Sequence, residues 1–143
     1  EKYINSNLNV LDVGCGSEIL SIASILLDGK SATGVDIDEL AVKTALENAK
    51  INNVNNKFNA VCGNLTEKIS GKFDIIVANI VADVIIDLNK SIKNYMNENS
   101  IYLMSGIIES NKDNVLLSLE SEFNILDIKT ENGWVAIAAK LKK

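Results

Sequence analysis

The chain has 143 residues, 47% of them hydrophobic, and a formal net charge of −5. That length suits one domain with its own core, and the apolar fraction excludes a disordered chain. The acidic balance and absence of arginine argue against a nucleic-acid surface, and the absence of histidine removes imidazole bases, Ser-His or Cys-His nucleophile pairs and most zinc sites, so no metal is expected.

Glu1-Lys2-Tyr3-Ile4 reads as the end of an amphipathic helix. Leu8–Val13 is an apolar run suited to a strand buried on both faces. Ile19–Leu27 is apolar all round and predicts a buried helix, stopped by Asp28-Gly29. Ala32–Val35 is the second strand. Asp38 is placed to cap a helix from Glu39 to about Asn52, with Leu40, Ala41, Ala45, Leu46 and Ala49 facing inward. Phe58–Cys62 predicts a third strand and Phe73–Ala78 a fourth. A helix follows from about Val81 to Met96, ended by Asn97-Glu98-Asn99. Ile101–Met104 is the fifth strand, stopped by Ser105-Gly106, and Asn111–Glu122 is a helix.

Phe123–Lys129 and Trp134–Lys140 are strands joined through Asn132-Gly133, a pair suited to a hairpin because both turn residues need positive φ. The regular alternation before them implies parallel strands, so the sheet is expected to be mostly parallel with a C-terminal antiparallel hairpin and helices on both faces. The apolar stretch Ile75–Ile86 is broken by Asp83 and is too short to span a bilayer, so no membrane contact is expected. Cys15 and Cys62 lie far apart with no Cys-x-x-Cys spacing, which points to a reduced, cytoplasmic protein.

The chemistry concentrates at two places. Val10-Leu11-Asp12-Val13-Gly14-Cys15-Gly16-Ser17 is a strand ending in a glycine turn, and Gly34-Val35-Asp36-Ile37-Asp38 is a strand ending in an acid. Gly14 and Gly16 leave the main chain bare where a ligand can lie against it, with helix N–H groups on offer to a carboxylate or phosphate. Asp36, one strand–helix–strand unit away, is placed to accept both hydroxyls of a ribose, as in folds that bind a nucleoside cofactor. Ile37 would cover one face of the adenine or enter the core. Asn64, ending the third strand, would meet the adenine edge or serve as a turn residue. Asn79 ends the fourth strand, at the crevice where open α/β sheets bind ligands. It would orient a nucleophile there or cap the next helix. Asp12 would satisfy buried donors near the turn, and Trp134 reads as a packing aromatic.

Taken with Glu47-Asn48-Ala49, Val77-Ala78-Asn79-Ile80, Leu103-Met104-Ser105-Gly106-Ile107-Ile108 and Gly133-Trp134-Val135-Ala136, these stretches resemble the class I S-adenosylmethionine-dependent methyltransferases. More narrowly, the chain resembles the catalytic domain of the bacterial PrmA-type enzymes, which methylate a ribosomal protein of the large subunit. The resemblance implies a seven-stranded Rossmann-like sheet, S-adenosylmethionine as cofactor, and Gly14, Asp36 and Asn79 as its contacts, with Gly16 beside them. It implies methyl transfer to amino groups by in-line attack, which needs positioning at roughly 3–3.5 Å more than acid–base machinery. It also implies that residues 1–143 are a single catalytic domain, the family's substrate-recognition domain lying upstream. Glu18 departs from the glycine usual at that position, and its side chain is expected to enter the space of the cofactor's methionine part and weaken binding. A methyltransferase acting on a small molecule and a non-catalytic cofactor-fold module remain alternatives. The incomplete glycine pattern and the hairpin count against a nicotinamide-dependent oxidoreductase.

Overall fold

The computed structural model describes residues 2–4 and 7–143. In chain order the elements are β1 (Asn9–Val13), α1 (Ile19–Leu26), β2 (Ser31–Asp36), α2 (Glu39–Ile51), β3 (Phe58–Cys62), β4 (Phe73–Asn79), α3 (Ala82–Leu88), β5 (Met96–Ile108), α4 (Lys112–Leu119), β6 (Phe123–Glu131) and β7 (Trp134–Leu141). All seven strands form one sheet in the order β3-β2-β1-β4-β5-β7-β6. The first five run parallel, and β7 lies antiparallel between β5 and β6. The expected hairpin is present, with Asn132 at φ 51° and Gly133 at φ 79°.

Helices cover both faces, which explains why β1 is apolar on both sides. Ile22 and Ile25 of α1 and Ala45 and Ala49 of α2 pack against Val10 and Ile75. On the other face Ile85 and Leu88 of α3 and Val115 and Leu119 of α4 pack against Leu11, Ile76 and Tyr102. Each of these buried isoleucines, leucines and valines contributes on the order of 1.5–3 kcal/mol. The chain leaves β1 towards β2 and β3 on one side and returns to β4 on the other. The strand order therefore reverses between β1 and β4, which opens a crevice at their C-terminal ends.

Several expectations need correction. Lys2 and Tyr3 form a turn rather than a helix end, and Glu1 lies outside the described residues. α1 is not buried all round: Ile22 and Ile25 face the sheet, while Ile19, Leu26 and Leu27 are exposed. In α2 the inward face is Val42, Ala45 and Ala49, and Leu40 and Leu46 face outward. The helix expected to reach Met96 ends at Leu88. There Asn89 turns inward to donate to the Ser118 hydroxyl (2.8 Å), and the Ser91 hydroxyl donates to the Leu88 carbonyl (3.4 Å). Such side-chain bonds compete with the helical ladder. A 3₁₀ turn at Ile92–Tyr95 then leads into β5.

β5 is longer than expected at both ends. Met96 pairs with Phe73 and Ile101 with Ile75, so Asn97-Glu98-Asn99 bulges out of the strand rather than ending a helix. The Ser100 hydroxyl holds that bulge by donating to the Phe73 carbonyl (2.6 Å). Ser105-Gly106 does not stop the strand either. Gly106, at φ 77°, forms a second bulge, after which pairing resumes with Ile107 opposite Val135.

Candidate functional site

The glycine turn is pinned to the end of β2. The Gly14 and Cys15 N–H groups both donate to the Val35 carbonyl, at 2.8 and 3.1 Å. Gly14 has φ 72°, and a Cβ there would run into the Ile80 side chain, so the position needs glycine twice over. The Gly16 N–H donates to Asp36 Oδ2 (2.9 Å), and Asp36 Oδ1 accepts from the Asp38 N–H (3.0 Å). The turn and the acid, far apart in sequence, are in direct contact. Asp38 itself caps α2 by accepting from the Leu40 N–H (2.9 Å).

Gly14, Asp36, Ile37 and Asn64 line one cleft of about 310 Å³, closed by Leu65, Ile80 and Val84. Gly16 reaches it through its bond to Asp36. Ile37 is 73% exposed, so the core alternative for that residue is out. Asn64 is exposed, and the left-handed residue of its turn is Leu65 (φ 48°). After two backbone bonds the Asp36 carboxylate retains acceptor capacity for two hydroxyls. The Ile37 side chain presents an apolar surface beside it. The residues present therefore fit a ribose and a flat base.

Asn79 does not line this cleft. It lies exposed at the end of β4, on an adjoining hollow of about 400 Å³ with Ile80, Val81, Ser105, Gly106 and Trp134. Ile80 forms the wall common to cleft and hollow. Asn79 caps no helix, since the residue before α3 is Val81 and makes no side-chain cap bond. Gly106 brings β5 close enough that a Cβ there would lie 3.1 Å from Asn79 Oδ1 and 2.8 Å from the Ile80 carbonyl.

Two features of this site were not anticipated from the residues alone. Trp134 is 56% exposed on the hollow instead of packing inward. From sequence Ile80 stands out only as part of the stretch Val77-Ala78-Asn79-Ile80. The signal for Trp134 was available, because strand alternation places its neighbour Val135 in the core. Ile80 left no signal, because its role depends on Gly14 across the sheet.

Glu18 also departs from expectation. Its side chain lines no wall of the cleft. It is fully buried and turned back onto Gly34 of β2, and neither carboxyl oxygen has a hydrogen-bond partner. The residue adopts φ 72°, a glycine-like conformation. Asp12, 2% exposed, stands opposite Gly34 in the β1–β2 register. Asp12 accepts from the Ser21 hydroxyl of α1 (3.2 Å), so its partner is in the helix rather than the turn. Burial pushes the Glu18 carboxyl up to about 6, with Cys15 and Ser21 opposing and Asp36 adding to the shift. Burial, then the Glu18 charge, pushes Asp12 up to about 7. Cys15 is buried beside them, and burial followed by Glu18 raises its thiol well above the ordinary range. That suits an inert small side chain.

The family model described as "Ribosomal protein L11 methyltransferase (PrmA)" matches residues 1–142. The ribosomal protein L11 methyltransferase of Dictyoglomus thermophilum is 43% identical over 141 residues, covering 98% of this chain and 46% of that protein. The crystal structure of ribosomal protein L11 methylase from Lactobacillus delbrueckii subsp. bulgaricus superposes with TM-score 0.95 at 32% identity, covering 99% of this chain and 74% of that one. M. capricolum TrmK, solved with S-adenosyl-homocysteine, shares the fold with TM-score 0.81 at 18% identity, covering 99% of this chain and 65% of that one. This chain thus spans about half the length of the curated relatives it matches. On the matched family model and these identities, the chain belongs to the ribosomal protein L11 methyltransferase (PrmA) family.

Proposed function

We propose that this chain is the cofactor-binding catalytic domain of a protein methyltransferase that uses S-adenosylmethionine to methylate amino groups of ribosomal protein L11, in the large subunit. The observation that carries the reading is the contact between Gly16 and Asp36 at the mouth of a single cleft. The bound cofactor would supply a methyl group activated on a sulfonium.

Each residue's part follows from its place. Asp36 accepts the ribose hydroxyls, held in orientation by the Gly16 and Asp38 N–H groups. Gly14 lets the ligand lie on bare main chain, and Ile37 and Asn64 meet the face and edge of the adenine. Asn79, beyond Ile80, holds the incoming amine through its side-chain carbonyl. A lysine amine has a reference pKa near 10.4, so it must arrive neutral or lose its proton on desolvation. The apolar wall of the hollow, Ile80, Val81 and Trp134, supplies that desolvation.

Substrate recognition is assigned to the part of the relatives that this chain does not span. A ribosomal substrate implies a cytoplasmic location, and among the described residues no helix is long and apolar enough to cross a membrane. The acidic balance argues that the partner is the protein rather than ribosomal RNA. The test is calorimetric titration with S-adenosyl-homocysteine. The chain should bind one equivalent, and Asp36→Ala should weaken binding at least tenfold. Equal affinity for both would remove Asp36 from the site. Methylation of purified L11 by the full-length protein tests the substrate.

A further inference from the structure

The acids behind the glycine turn have no part in the reading above. Asp12 and Glu18 are both buried and meet at Gly34, the one residue of β2 with no side chain to separate them. Ser21 bonds Asp12, and both Glu18 oxygens are left without a partner. A buried, unpaired carboxylate is costly, whereas a neutral carboxyl is much less so.

The groups that act on this pair are Asp36 from β2, Cys15 from the turn and Ser21 from α1. None is a cation. α2 reaches the turn through Asn48, whose amide donates to the Ser17 carbonyl (2.9 Å). Cys15 and Ser21 oppose the lift of Glu18, and Ser21 that of Asp12, but burial outweighs them.

Glu18 is also the last residue of the turn itself. Its N–H donates to the Cys15 carbonyl (2.9 Å) and its carbonyl accepts from the Ile22 N–H (3.0 Å). A displacement of Glu18 is therefore passed, through its bond to the Cys15 carbonyl, to the Cys15–Gly16 peptide. That peptide carries the N–H held by Asp36.

We propose that Asp12 and Glu18 form a proton-dependent latch on the cofactor turn: with one proton retained between them the turn keeps Gly16 on Asp36, and losing it loosens the turn and the affinity for the nucleoside. Glu18 is a positioning residue in this scheme and touches no ligand. The inference rests on the cofactor reading for its consequence and on the buried pair alone for its cause. The direction follows from the raised carboxyls. Affinity is high at low pH, where the pair holds its proton, and falls as pH rises through the range of about 6 to 7 to which burial lifts both groups, with the Glu18 charge adding to the shift of Asp12 and the Asp36 charge to that of Glu18.

The experiment has two arms, a titration of the unaltered chain against Glu18→Gln and an NMR titration of the unaltered chain. In the first, S-adenosyl-homocysteine is titrated calorimetrically at pH 5.5, 6.5, 7.5 and 8.5. The unaltered chain should lose at least tenfold in affinity across the series relative to Glu18→Gln, a comparison that cancels the titration of the ligand's own amine. In the second, the Glu18 carboxyl carbon and the Gly16 amide are followed by NMR without ligand, and the two should shift together. Parallel affinity profiles, or a Gly16 amide that stays still while Glu18 titrates, would overturn the latch. Coupled shifts with no binding at any pH would uphold the latch and refute the cofactor reading. Should Glu18→Gln not fold, the NMR arm on the unaltered chain decides alone.

Discussion

Glu18→Gly should stabilise the protein, and by an amount that depends on pH. At pH 7.5 the buried carboxyl, raised from 4.5 to about 6, costs about 2 kcal/mol of stability. The sign follows from proton binding. The folded state holds the proton more tightly than the unfolded chain, so stability is lost as pH rises from about 4.5 through about 6, and removing the group restores it. The residue's φ of 72° adds about 1 kcal/mol of backbone strain that glycine does not bear. Against this stand the loss of two buried methylenes, about 1.6 kcal/mol, and the greater freedom of glycine in the unfolded chain, about 0.7 kcal/mol. The net is a gain of about 0.7 kcal/mol at pH 7.5, equivalent to a rise of about 2 °C in Tm. At pH 5 the carboxyl costs only about 0.8 kcal/mol, and the substitution becomes neutral to slightly harmful. Urea unfolding of both proteins at the two pH values reads this directly. A Glu18→Gly chain that is less stable at pH 7.5, or whose advantage is the same at pH 5, would refute the reasoning.

Tyr102 is fully buried and its hydroxyl has no partner, so Tyr102→Phe should raise stability by about 1 kcal/mol in urea unfolding. Gly106→Ala would place a methyl against the Ile80 backbone at φ 77°. It should lower methylation by full-length protein at least tenfold while S-adenosyl-homocysteine affinity changes little, because the distortion falls on the Asn79 hollow and not on the Asp36 cleft. Trp134→Ala removes an exposed side chain, so the unfolding midpoint should stay within about 0.5 kcal/mol while the KM for L11 rises.

What could be read from sequence followed the range of the forces involved. The glycine turn, the place of Asp36 at the end of β2 and the Asp38 cap rest on local backbone needs and came out as expected. The terminal hairpin was legible for the same reason, since Asn132-Gly133 requires positive φ whatever surrounds it. The helix after β4 was overextended because its end depends on Ser118, on a different helix. The α2 face was misread because Leu40 and Leu46 are as apolar as the residues that do face inward. The orientation of Glu18 was missed because the space it occupies is made by Gly34, on the neighbouring strand. Asn79 was placed at the right strand end, but its separation from the Asp36 cleft by Ile80 is a tertiary fact.

A crystal of this chain soaked with S-adenosyl-homocysteine tests the whole account most directly. Density for the nucleoside should fill the cleft, its ribose on Asp36 and its base between Ile37 and Asn64, with the sulfur end pointing past Ile80 towards Asn79. A ligand seated elsewhere on the sheet, with the Asp36 carboxylate bonded only to Gly16 and Asp38, would contradict it.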